Sequence, residues 1–418
     1  METKSNIPSE IYEAILNNLH DDKESLVNCA LISRQFTYRS QRLLFKRVVL
    51  DSPFQRSDKA SSVFSPAETF LEAINHSPHL CRLVVDLQIS DQRESSDPEW
   101  TYSEANSWIR QDLAIAKILP LLSELENFSI IGHGYLGRLN FNCWTEDLQS
   151  AILSKIPALR TLTLDWIRNV PLLILSNIPH LETLHFSNVN FNTDFPPAVE
   201  PLNTTKLTNF YYNSHSSSDW PTLYPWLQSE NCTVNLKQLT HISMIIDTPM
   251  EATAEDVHSM SQVLRGCANT LKYLHICFSS NIITSPFYNE SFLDLGIVPF
   301  LETLIISGCI WSKWDRNRPN HRANRLQLIT NYLSQICSNK LLKRAKLVLS
   351  IDDFAELSLS GFEDAGWNDF SAILDTLSKT THDFSVTLWI SFPVSNYVKN
   401  VLQKHLKPLC ERSIVFIS

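Results

Sequence analysis

The chain has 418 residues, 44% of them hydrophobic and 19% charged, an ordinary globular composition with ample material for a core. Gly and Pro together make up about 7%, against roughly 12% on average, so collagen-like and low-complexity readings are excluded. The net charge of −9 argues against a general nucleic-acid coat or a polybasic membrane binder, both of which need a basic surface. Nine scattered Cys include no C-x-x-C pair, and Met1-Glu2-Thr3-Lys4 does not open a signal-like apolar segment. No apolar run reaches the about 18 residues of a membrane span. The expectation is an intracellular chain, cytoplasmic or nuclear, with reduced thiols.

The first fifty residues form their own pattern. Ile7, Ile11, Ile15 and Leu19 recur every four positions, with Leu16 beside them. That is one face of an amphipathic helix entered through Pro8 in its first turn. The run His20 to Glu24 breaks the period, and Leu26, Val27, Cys29, Ala30, Leu31 and Ile32 follow. A third segment carries Phe36, Leu43, Leu44 and Phe45, and also Arg34, Arg39, Arg42, Lys46 and Arg47 without an acid. Three short helices leading into a strand at Val48 to Leu50 are predicted. Such a unit is too small to bury a good core by itself and needs a neighbour or a partner.

From residue 78 a motif recurs. Its four copies with a leading proline are Pro78-His79-Leu80-x-x-Leu83-x-Val85, Pro157-Ala158-Leu159-x-x-Leu162-x-Leu164, Pro179-His180-Leu181-x-x-Leu184-x-Phe186 and Pro299-Phe300-Leu301-x-x-Leu304-x-Ile306. Looser copies start at Leu125, Leu207, Leu239, Leu271 and Leu342. Between them, Leu148 to Ile156, Val257 to Leu264, Ile329 to Ile336 and Phe370 to Leu377 carry apolar residues at helical spacing. The predicted unit is helix, turn, short strand, repeated. Strands joined by helical crossovers must be parallel.

Residues 5–50 resemble an F-box. The resemblance rests on Ile7-Pro8, Glu10-Ile11, Ile15, Leu19, Leu26, Cys29-Ala30-Leu31-Ile32-Ser33-Arg34, Phe36, Arg39, Leu44-Phe45 and Val48, and is strongest to the divergent fungal version. Ile7 stands where Leu is usual and Phe36 where Trp is common. The resemblance implies three helices that dock on the Skp-type adaptor of an SCF-type (cullin–RING) ubiquitin ligase. The implied contact residues are Ile7, Pro8, Ile11, Ile15, Leu26, Cys29, Leu31 and Leu44. Residues 51–418 resemble a degenerate leucine-rich-repeat array. The implied fold class is α/β, a three-helix F-box followed by an irregular solenoid with strands on the concave face and helices on the convex face. The usual Asn at the end of each repeat is mostly missing. Cys309 fits, but Ile167, Val189, Asp247 and Ser279 occupy the corresponding positions, so the turns are expected to close differently from copy to copy. The arrangement implies a non-catalytic substrate receptor whose target is a protein, with no cofactor. The alternative is a repeat scaffold without ligase coupling.

Catalytic signatures are weak. Gly132-x-Gly134-x-x-Gly137 matches the dinucleotide fingerprint literally, but Arg138 to Trp144 is a poor helix start and Asp165 lies well past the required acid spacing. No clustered metal-ligand spacing, nucleophile elbow or Walker loop occurs. The alternate strand positions are more informative. His185, Tyr211, His241, Tyr273 and His275 would line one polar-aromatic sheet face suited to a protein ligand. A basic block over 313–346, including Arg316, Arg318 and Arg344, precedes a stretch over 352–375 with seven acids and no Lys or Arg. The block is a candidate contact for an acidic or phosphorylated segment.

Overall fold

The computed structural model describes residues 9–52, 65–91, 107–132, 138–175, 178–192, 205–214, 223–225, 227, 234–246, 254–278, 293–311, 319–352, 362–363, 366–391 and 396–417. The chain is mixed α/β, built on parallel strands, and divides into two compact units, Met1–Leu181 and Glu182–Ser418.

The first unit opens with α1 (Ser9–Asn18), α2 (Lys23–Ile32) and α3 (Arg34–Lys46). The predicted break at 20–24 is an N-cap. Asp22 accepts from the Ser25 backbone N–H at 3.0 Å, satisfying a donor that the helix start leaves orphaned. Ser33 separates α2 from α3 and caps the latter, while Thr37 Oγ1 donates to the Ala30 carbonyl at 2.7 Å across the joint. The third helix runs directly into β1 (Arg47–Asp51), the strand expected at Val48. Next come α4 (Pro66–His76), β2 (Asp86–Ser90), α5 (Trp108–Gln111), α6 (Leu113–Leu121), β3 (Asn127–Ile131), α7 (Glu146–Lys155) and β4 (Thr161–Asp165). The start of α4 is a capping box. Ser65 Oγ accepts from Glu68 N and Glu68 Oε2 accepts from Ser65 N, each at 2.9 Å. Strands β1 to β4 pair in chain order and in parallel. Leu87 and Ile89, Phe128 and Ile130, and Leu162 and Leu164 are buried, as the two-residue side-chain period requires.

The second unit contains β5 (Thr183–Ser187), β6 (Asn209–Ser214), β7 (His241–Ile246), α8 (Ala254–Cys267), β8 (Tyr273–Phe278), β9 (Thr303–Trp311) and α9 (Pro319–Ile336). It ends with β10 (Arg344–Asp352), α10 (Trp367–Thr380), β11 (Asp383–Ser391), α11 (Asn396–Glu411) and β12 (Val415–Ile417). Its strands also pair in parallel and in chain order. The register stacks the motif positions. Phe186, Tyr212, Met244, Ile276, Ile306, Leu347, Val386 and Val415 lie opposite one another and are all buried.

Two details differ from the sequence expectation. In the copy at Pro78, Leu80 sits in a tight helical turn over Pro78–Arg82, and the strand begins only at Asp86. The strand-forming copy is four residues later, Val84-x-x-Leu87-x-Ile89, because Leu87 and Ile89 are the residues that pair with Val48 and Leu50. The four helices read from periodicity occur, whereas α4, α6 and α11 carried no expectation. At the strand ends the missing Asn is replaced by apolar burial, with Ile167 fully covered and Val189 nearly so. The chain turns instead through left-handed residues one position earlier, Trp166 (φ 56) and Asn188 (φ 55). Asn188 donates its N–H to the Asn213 carbonyl at 2.7 Å.

Candidate functional site

Two surfaces carry the candidate residues. The first is the outer face of α1 and α2. The three helices bury little among themselves, mainly Leu16 and Leu26, with Tyr12 and Phe36 in an edge-on ring contact at 4.9 Å. Apolar side chains remain outside. Ile11 is 49% exposed, Ile15 46%, Val27 47%, Leu31 81% and Ile32 72%. Ile11 and Ile15 stand one turn apart on α1, as do Val27 and Leu31 on α2, so each helix presents an apolar stripe. Cys29 and Leu44 are half-buried. Leu26 does not fit the contact set implied by the resemblance, because it is wholly buried and has no surface to offer a partner. Ile7 and Pro8 lie outside the described residues. Val27 and Ile32 were missed by sequence reasoning. The four-residue spacing from Val27 to Leu31 was the signal for the former.

The second surface is the open face of the second unit's sheet. Strand register sets its rows. One runs Thr183, Asn209, His241, Tyr273, Thr303, Arg344 and Asp383, and the next runs His185, Tyr211, Ser243, His275, Ile305, Lys346 and Ser385. The five expected His and Tyr residues are therefore brought together on adjacent strands. The His185 and Tyr211 rings are 5.7 Å apart, and the His241 and Tyr273 rings stack at 5.5 Å with 26° between planes. Asn209 Nδ2 donates to Thr183 Oγ1 at 3.1 Å. Burial, reinforced by the neighbouring Tyr211 and opposed by Arg344, raises the Tyr273 hydroxyl above the usual phenol range. Two large apolar residues beyond the expected set also face outward on the last strands, Trp389 at 55% exposed and Phe416 at 52%.

His275 is held on both ring nitrogens. Nδ1 meets Ser243 Oγ at 3.0 Å and Nε2 meets Ser307 Oγ at 2.9 Å. Hydroxyls donate or accept, so these contacts suit either protonation state. Burial decides, and it lowers the imidazole pKa below its ordinary value. The unfolded chain therefore binds this proton more readily than the folded one. Stability contributed here is present above the unfolded value of about 6.5 and lost as pH falls through and below it. Denaturation of the native chain and of His275→Gln at about pH 7.5 and about pH 5 checks this. The native protein should lose more stability on acidification than the variant, and equal losses would remove His275 from the account.

The basic block is partly neutralised. Arg344 Nε donates to Asp383 Oδ2 at 2.8 Å, and Lys343 bonds Glu302 at 2.6 Å with Lys272 a further 3.8 Å contact. These exposed pairs stabilise little, but they leave Arg344 a weaker candidate for capturing an acidic segment than its sequence neighbourhood implied. Arg316 and Arg318 lie outside the described residues. Of the glycine motif only Gly132 is described. Its N–H donates to the Asp165 carbonyl at 2.8 Å, and a Cβ there would stand 2.5 Å from the Trp166 carbonyl oxygen. Close backbone approach thus accounts for this glycine. Burial pushes the Cys267 thiol up to about 12, which keeps it protonated at neutral pH. Among the described residues no group of three or more His, Cys, Asp and Glu is placed to hold a metal ion, and no helix is long and apolar enough to cross a membrane.

No protein-family model matches the chain, and no curated protein matches it.

Proposed function

We propose that this protein is the substrate-recognition subunit of an SCF-type (cullin–RING) ubiquitin ligase. In this reading α1 to α3 form an F-box that binds a Skp-type adaptor. The remainder is an irregular leucine-rich-repeat solenoid whose open sheet face holds a target protein. The chain performs no chemistry. It raises the local concentration of a substrate lysine beside a charged conjugating enzyme supplied by the assembly. The observation that carries the reading is the pair of uncovered apolar stripes, Ile11 and Ile15 with Val27 and Leu31, on helices that bury few residues of their own. An apolar helical face of this kind suits a groove on another chain.

The test is co-purification with the adaptor. The native chain should retain it, and the double variant Ile11→Asp with Ile15→Asp should weaken retention by roughly a hundredfold or more, since two carboxylates would be desolvated at the contact. Because both isoleucines are about half exposed in the free chain, its thermal midpoint should fall only modestly, and the variant should keep the native helical signal at the assay temperature. A native chain that fails to retain the adaptor, or a variant that keeps it, sinks the proposal.

A further inference from the structure

A cleft of about 910 Å3 opens in the first unit, where α1 and α3 face the segment after Pro78. That volume is within the range of small-molecule sites, roughly 300–1,000 Å3. Leu16 and Leu83 contribute to its apolar lining, and four cations surround it, Arg39, Arg42 and Lys46 from α3 and Arg82 from the Pro78–Arg82 turn. Glu13 and Glu124 are the opposing acids. Arg39 and Glu13 answer one another at 3.0 Å, and Lys46 acts on the nearby Asp86. Arg42 and Arg82 are exposed, and neither has an ion-pair or hydrogen-bond partner among the described residues.

The two elements that carry these guanidinium groups are braced together. His79 Nε2 contacts Gln41 Oε1 at 3.2 Å, and the Val85 N–H donates to the Lys46 carbonyl at 3.0 Å. The positive groups are therefore held across a cleft by fixed backbone, on a helix that carries no acid at all. Two unanswered guanidiniums and an ammonium beside an apolar lining fit a ligand with several closely spaced negative oxygens. Guanidinium forks match phosphate oxygens in pairs, and partial exclusion of water strengthens the attraction.

We propose that this cleft binds a small anion bearing two or more phosphate groups, gripped by Arg42 and Arg82 with Lys46 as the third contact. The site is distinct from the apolar stripes and from the open sheet face, and its test uses the full chain without any adaptor, so it stands or falls apart from the ligase reading.

The probe is inorganic tripolyphosphate, titrated calorimetrically against a sodium chloride control of matched ionic strength. Saturable binding to one site and a raised thermal midpoint are expected. Arg42→Ala combined with Arg82→Ala should weaken binding by about a hundredfold, taking roughly tenfold for each lost charge-assisted contact. Unfolding of the ligand-free variant should match the native chain, since both side chains are exposed and have no partner among the described residues. Arg34→Ala, on the same helix but outside the cleft, should bind as the native chain does. Absence of saturable binding over the salt control overturns the proposal. So does undiminished binding by the double variant, or an equal loss in Arg34→Ala, which would mean diffuse surface charge.

Discussion

Replacing Trp367 with alanine is expected to destabilise the second unit by about 3–5 kcal/mol. Trp367 is 1% exposed and is the first residue of α10. Its ring packs against Phe362 at 5.2 Å and edge-on against Phe370 at 6.0 Å, and its indole N–H donates to the Phe362 carbonyl at 2.7 Å. Alanine removes the ring, leaves a cavity that the flanking aromatics only partly fill, and orphans the carbonyl. Trp367→Phe keeps most of the packing and loses the hydrogen bond, so its cost should be smaller by at least half. Urea denaturation of the three proteins decides the matter. A midpoint for Trp367→Ala within error of the native value would mean that this aromatic cluster does not hold α10.

Gly132→Ala should cost about 1–3 kcal/mol, the usual range for forcing atoms into a packed site. The new Cβ would lie 2.5 Å from the Trp166 carbonyl oxygen and 2.9 Å from the Trp166 Cβ. That oxygen cannot simply move away. It accepts from the Leu139 N–H at 2.8 Å, and Trp166 is already in the left-handed region at φ 56. Relief by moving the Gly132 strand end instead would stretch its own 2.8 Å bond to the Asp165 carbonyl. Chemical denaturation measures the loss. A nucleotide-binding glycine would behave differently, since its replacement would change ligand affinity while the ligand-free protein unfolded as before. Unaltered stability of Gly132→Ala would therefore reopen the sequence fingerprint.

The strands were legible because alternation survives at almost every copy of the motif. Where a copy lacks Leu, as at Ala345-x-Leu347, flanking apolar residues still mark the buried side. The copy at Pro78 misled for a physical reason. Leu80, Leu83, Val84, Leu87 and Ile89 are all buried, so a slip of four residues keeps every motif position apolar. Only pairing with β1 sets the register. The unpredicted α11 and β12 lie past the last recognisable copy. Val398, Val401, Leu402, Leu406 and Leu409 carried the helical period for α11. Pro408, however, stands directly before Leu409 inside that helix, so the Pro-x-Leu-x-x-Leu spacing that marks the other strands is absent before β12.

At the candidate sites the division follows the range of the interactions. Helical spacing over the first fifty residues and the two-residue period of the later strands are local properties, and they suffice to name an apolar opening face and a row of His and Tyr on one side of a sheet. Which apolar residues stay uncovered is not local. Leu26 and Val27 are neighbours of similar chemistry, yet one is wholly buried and the other 47% exposed, because burial depends on where the other helices pack. Charge behaves the same way. Arg344 stands in a basic stretch of sequence, but adjacent parallel strands bring it 2.8 Å from Asp383, 39 residues away along the chain. Periodicity is written in the order of residues, whereas burial and charge pairing arise from contacts that the chain makes only after it has closed on itself.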